Sequence, residues 1–154
     1  MEYFYEHDSL IKYIDEKFLD LTPNNIPEKI SEIIPELILN NMTKNIQKDV
    51  QELFDAYCYE LWTCTLLMAY RVLEEVLRVH VEYDLNENEV KNLGEAIKVL
   101  QEQNYNESLI NNLQNCREER NNFMHGKKRA SPADAKRMLG YIMSIVMQIY
   151  NIKP

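Results

Sequence analysis

The residues best suited to chemistry in this chain form the run Arg120-Asn121-Asn122-Phe123-Met124-His125. A histidine can move the proton of an attacking 2′-hydroxyl, and a guanidinium can bind non-bridging phosphate oxygens as charge builds on them. Together they suit cleavage of a phosphodiester without a metal, giving a cyclic phosphate product. Asn121, four residues before His125, is placed to hydrogen-bond a ring nitrogen and fix its tautomer. The spacing carries a difficulty: five residues along a regular helix turn two side chains about 140° apart. Gly126 follows as a natural helix terminator, and if the helix ends at His125 the last turn can unwind and swing the imidazole back toward the guanidinium.

The charge around this run differs from that of the whole chain. Seven basic residues stand between Arg117 and Arg137 against three acidic ones, a local +4 that leaves −12 for the rest of a chain whose formal charge is −8. Phosphate affinity comes from local Lys and Arg rather than from the average, so Arg117, Lys127, Lys128 and Arg129 are candidate RNA contacts. The alternative is an ordinary solvated loop.

Helices must position these groups. Gly and Pro are scarce, at 3 and 5 of 154 residues, and 45% of the chain is apolar, which disfavours both disorder and a turn-rich β-sandwich. Leu10, Ile11, Ile14 and Phe18 have helical spacing behind Asp8, and Pro27 and Pro35 suit short helices between 26 and 40. From 45 to 83 there is no Gly or Pro, and Ile46, Val50, Leu53, Tyr57, Leu61, Met68, Val72, Val76 and Val79 trace one stripe. This predicts a central helix roughly 50 Å long, with a bend near Thr63 and Thr65. A helix carrying Val90, Leu93, Ile97 and Leu100 follows, then a break at 104–106. The next helix begins near Glu107 and places Arg120 on the stripe of Leu109, Leu113, Cys116 and Phe123. Ser131-Pro132-Ala133-Asp134 reads as the N-cap and first turn of a last helix, 132–151. The expected fold is all-α, an antiparallel bundle of about five helices around one long central helix, in a single domain over 1–154.

The first residues show neither a basic n-region nor a long apolar run, so a cytoplasmic protein without a membrane span is expected. Cys58, Cys64 and Cys116 have no zinc-ligand spacing and are expected to be reduced, mostly buried thiols; no motif calls for a metal or cofactor.

From about Ile34 to Tyr150 the chain resembles the HEPN superfamily. The resemblance rests on Pro35-Glu36, on the helix sequence Arg71-Val72-Leu73-Glu74, on R-N-x-x-x-H-G from Arg120 to Gly126, and on the Ser-Pro start of the closing helix. It implies a HEPN-like core over 35–150, preceded by an N-terminal helix and a proline-containing segment over 1–34. It also implies a homodimer that brings two R-x4-6-H motifs together as a metal-independent endoribonuclease, often in toxins and antiviral defence. By position, Arg120 resembles the phosphate-binding arginine, His125 the catalytic histidine and Asn121 the polar residue after the arginine, with Glu74 as a supporting residue. RNA is then the substrate, and a nucleotidyltransferase-type antitoxin or other defence protein the partner. The toxin subset often has tyrosine two residues after the histidine, where this chain has Lys127. The same resemblance also implies an alternative, a non-catalytic HEPN module that dimerises and binds a partner protein or nucleotide.

Each residue has a plainer role open to it. Arg120 can pair with a glutamate at the core edge, and His125 can interact with a helix dipole. His80 fits a packed core histidine. Arg71 with Glu75 and Glu74 with Arg78 are i,i+4 pairs that surface electrostatics alone explains. Tyr3, Phe4 and Tyr5 lack basic partners and suit packing better than base stacking.

Overall fold

In a computed structural model of the chain, residues 34, 36–126 and 129–152 are described. The expected helix at 8–20, the aromatic run at 3–5, Lys127 and Lys128 lie outside them. Among the described residues all regular structure is helical: α1 (Glu36–Asn41), α2 (Lys44–Cys58), α3 (Trp62–Val79) running into a π-helical turn (His80–Asp84), α4 (Leu93–Glu102), α5 (Glu107–Met124) and α6 (Pro132–Ile152). None of these helices is long and apolar enough to cross a membrane.

Local chemistry sets the helix starts. The Thr43 hydroxyl accepts from the Ile46 N–H at 3.2 Å, and the Asn92 side chain accepts from the Glu95 N–H at 3.0 Å. At α6 the expected cap is present in reciprocal form: the Asp134 N–H donates to Ser131 Oγ at 3.1 Å, and the Ser131 N–H donates to Asp134 Oδ2 at 3.3 Å.

The stretch 45–83 departs from the expected single helix. It breaks at Tyr59-Glu60-Leu61, where Glu60 takes the left-handed conformation (φ 56°), and the two halves fold back as a hairpin. Leu61, expected on the stripe, sits in the turn and is 51% exposed. The physical reason is burial. An extended helix would leave most of its stripe beyond a small core, whereas the hairpin sets Ile46, Val50, Leu53 and Phe54 among Leu66, Leu73 and Leu77 in one cluster.

α3 is the centre of the bundle. Thr65, Leu66, Ala69, Tyr70, Val72, Leu73, Val76 and Leu77 are all buried, covering an arc of about 160° around its axis. α2 packs on one flank and α6 on the other, with α4 and α5 completing the cover. α5 runs antiparallel to α3, and α6, antiparallel to α5, therefore runs parallel to α3. Accordingly, Lys136 Nζ lies 5.7 Å over the Trp62 ring at one end of the bundle. At the other end burial, and after it the Asp84 carboxylate, pushes the Tyr150 phenol up to about 12.

The far end of α3 is closed by polar contacts. His80 is buried with Nδ1 2.8 Å from Asp84 Oδ2 and Nε2 2.7 Å from Tyr105 Oη. A carboxylate only accepts, so in the neutral ring Nδ1–H donates to Asp84 and Nε2 accepts from the Tyr105 hydroxyl. His80 is thus a satisfied core histidine that ties the π-helical turn to the α4–α5 connection.

A left-handed Glu60 costs about 1–2 kcal/mol relative to glycine before chain entropy is counted. Glu60→Gly should therefore raise the unfolding free energy by roughly 0.5–1 kcal/mol in urea titration; a lower midpoint would show that the turn is not the one described.

Candidate functional site at the end of helix 5

Arg120 lies where the apolar stripe of α5 reaches the core edge, between buried Cys116 and Phe123. Its guanidinium meets the Glu74 carboxylate of α3 at 3.4 Å, and the two side chains are 30% and 28% exposed. The charge on the stripe is answered by this contact. The other charges along α3 explain why Glu74 is available. Arg71 reaches across to Asp49 on α2 at 3.1 Å rather than to Glu75, and Arg78 takes Glu75 and Glu82 rather than Glu74. The expected i,i+4 pairs Arg71–Glu75 and Glu74–Arg78 thus give way to Asp49 for Arg71 and to Glu75 (i,i+3) and Glu82 (i,i+4) for Arg78. Those partners are better placed because Asp49 is nearly buried and needs a cation. The Glu75 carboxyl is held below the usual carboxylate range by its hydrogen bond from Arg78.

His125 is the C-cap of α5 and is exposed. Its N–H still donates to the Asn121 carbonyl at 3.0 Å, and Gly126 (φ 67°) donates to the Phe123 carbonyl at 3.2 Å. The last turn is therefore wound, and the unwinding that the sequence allows does not occur here. Gly126 supplies the left-handed residue that ends the helix one position later, so nothing requires the turn 121–125 to unwind. Its role is conformational rather than steric, since a Cβ there would meet nothing within 4 Å. Asn121 is joined to His125 through its backbone carbonyl, with its side chain exposed. Within one chain Arg120 and His125 leave the helix about 140° apart; the guanidinium faces α3.

The basic residues divide. Arg129 is exposed in the loop beyond His125. Arg117 turns toward α4, where its guanidinium lies over Gly94, about where a Cβ would stand 3.1 Å from Cζ. A side chain larger than hydrogen at Gly94 would displace it.

Two features were not read from the sequence. A cleft of about 500 Å³ between α2 and α3 is lined by Lys48, Asp49, Glu52, Arg71, Glu74 and Glu75, so Glu74 has the cleft on one side and Arg120 on the other. A second groove, about 390 Å³, runs between α5 and α6. Near it Tyr70 is buried with its hydroxyl lacking a hydrogen-bond partner, as does the buried Oε2 of Glu119. Burial, with Cys116 and Glu119 nearby, pushes the Tyr70 phenol up, while Arg137 and Arg120 oppose the shift. A tyrosine on an apolar stripe needs a partner for its hydroxyl; that was the available signal. Among the described residues no three His, Cys, Asp or Glu side chains gather as metal ligands.

No family model matches the chain, and neither a curated protein nor a solved structure matches it.

The thiols differ more than expected: Cys116 is buried, Cys58 half-buried and Cys64 exposed. Burial and the Glu119 carboxylate push the Cys116 thiol up to about 12. Iodoacetamide at pH 8 should label Cys64 first and leave Cys116 unmodified until the chain unfolds, read by peptide mass spectrometry. Rapid labelling of native Cys116 would contradict the packing of α5. Glu74→Gln should cost less than about 1 kcal/mol, because the ion pair it removes is nearly a third exposed. A larger loss in thermal unfolding would mean that Glu74 also holds the α2–α3 cleft together.

Proposed function

We propose that this chain is a HEPN-type, metal-independent endoribonuclease that acts as a pair of chains. The observation that carries the reading is the end of α5, where a guanidinium is anchored by Glu74 one turn before an exposed imidazole at the helix C-cap. In the reaction the 2′-oxygen attacks the adjacent phosphorus and the bond to the 5′-oxygen breaks, leaving a 2′,3′-cyclic phosphate and a 5′-hydroxyl. His125 takes the 2′-hydroxyl proton, and Arg120 binds the non-bridging oxygens as their charge grows. The imidazolium so formed gives that proton to the departing 5′-oxygen, so each site needs one His125. Arg129, with the charges of Lys127 and Lys128 next to it in sequence, adds phosphate attraction.

Because Arg120 and His125 diverge in one chain, Arg120 of one copy works with the partner's His125. Tyr59, Leu61 and Met124 support such pairing: they are 64%, 51% and 54% exposed, and all lie at the end of the bundle that carries His125. This reading places the chain in the cytoplasm, in toxin–antitoxin or antiviral defence, with a nucleotidyltransferase-type antitoxin or other defence protein as counterpart.

A second reading is a non-catalytic HEPN module that dimerises and binds a partner or nucleotide. The Glu74 contact favours it, since the carboxylate occupies the guanidinium that a phosphate would need. RNA incubated with the purified chain in EDTA separates the two. Cleavage to cyclic phosphate ends, lost in Arg120→Ala and in His125→Ala, is the expected result. Mixing the two variants with subunit exchange should restore roughly a quarter of the activity, because half of the pairs then hold one intact site of two. A dimer that leaves RNA whole would establish the second reading, and cleavage that survives both substitutions would exclude the motif.

A further inference from the structure

The single tryptophan stands at the basic end of the bundle, and a lysine covers it. Trp62 is the first residue of α3 and is half-buried. The buried Tyr57 ring meets it edge-on at 5.7 Å and holds the indole in place. Lys136 of α6 sets its Nζ 5.7 Å over the indole, near the outer limit of a cation–π contact. The ammonium thus lies on an aromatic face that holds it weakly.

The positive charge around that face is unmet. Among the described residues Arg129 and Lys136 pair with no carboxylate, and Arg137, its side chain 54% exposed, reaches Asp134 only at 3.9 Å. The acidic residues closest in sequence are Glu60, exposed in the α2–α3 turn, and Asp134, which also accepts from Ser131 Oγ at 2.9 Å. The Arg120–Glu74 contact sets the register of α5 on α3. With the two helices antiparallel, His125 stands level with about Ala69, and Trp62 lies roughly 10 Å beyond it along the axis. The chain between His125 and Lys136 carries Lys127, Lys128 and Arg129, so basic residues bridge the imidazole and the indole in sequence.

An aromatic face framed by cations matches an unpaired nucleotide. The base stacks on the ring whatever its identity, and the phosphates beside it take the lysine and the arginines. An inorganic or carboxylate anion would use the cations and leave the indole idle. A duplex keeps its base faces against one another and offers the ring nothing.

We propose that Trp62 and Lys136 form a stacking subsite for one base of single-stranded RNA, a short way along the strand from the bond at His125. Lys136 leaves the indole for the adjacent phosphate, the base takes its place on the ring, and Arg129 and Arg137 flank the backbone. The inference rests on RNA as the substrate and adds a preference for unpaired strands, with none among the bases.

Because the chain has one tryptophan, its fluorescence reports on this subsite alone. The probe is a short 2′-O-methyl oligouridylate, which has no free 2′-hydroxyl and so cannot be cut. It should quench Trp62 in the full chain and bind about ten-fold more tightly than the same backbone without bases, which should leave the emission unchanged. Trp62→Leu should lose that advantage, read by anisotropy of a labelled strand, and Trp62→Tyr should keep most of it. Thermal unfolding checks that both variants fold, and the comparison of the two strands on the wild-type chain needs no variant. Lys136→Gln should lower the slope of log affinity against log salt by about 0.7. Equal binding with and without bases, quenching by polyglutamate as strong as by the oligonucleotide, or full affinity in a folded Trp62→Leu would each overturn the subsite. The probe is not a substrate, so RNA left whole beside a quenched Trp62 would end the ribonuclease reading alone, and cleavage without quenching would end the subsite alone.

Discussion

How four charges along one edge of α3 are shared determines what the rest of the molecule can do. The opposite arc of that helix is buried, so Arg71, Glu74, Glu75 and Arg78 are confined to a narrow polar strip. Asp49, almost buried on α2, takes Arg71; Arg78 is taken by Glu75 and Glu82. Glu74 is then free for Arg120. Partly exposed ion pairs contribute little to stability, on the order of 1 kcal/mol or less. Their consequence is positional: a guanidinium that would otherwise sweep solvent is fixed at the junction of α3 and α5.

Much of the architecture was legible because it is local. The caps at Ser131 and the break at Asn104, which takes φ 58°, follow from residue types that hydrogen-bond their own backbone or tolerate the left-handed region. The turn at Glu60 was not legible, since a glutamate in that conformation is chosen by the packing of α2 on α3 and not by its own preference. Leu61 continued the stripe by arithmetic alone, and only the fold could show that it leaves it.

The same distinction applies to the site. That Arg120 needs a counter-charge was readable from its place on the stripe; that Glu74 supplies it was not. Intrahelical spacing pointed to Arg78, and the competition that decides the matter involves Asp49, far away in sequence. The position of His125 at a helix end was readable from Gly126, whereas the wound last turn was not, because the sequence does not say on which side of His125 the helix stops. The α5–α6 groove belongs to neither helix alone and left no local trace.

A wound α5 makes the proposed chemistry a property of two chains. It turns one helix end into two half-sites, an arginine anchored from behind and a histidine open to solvent. The most direct measurement is a structure of the chain bound to a short RNA with a single 2′-deoxy position at the scissile phosphate. The expected result is that phosphate gripped by Arg120 of one copy and within hydrogen-bond reach of the partner's His125. A phosphate bound elsewhere, or RNA bound with Arg120 making no contact to the scissile phosphate, would contradict it.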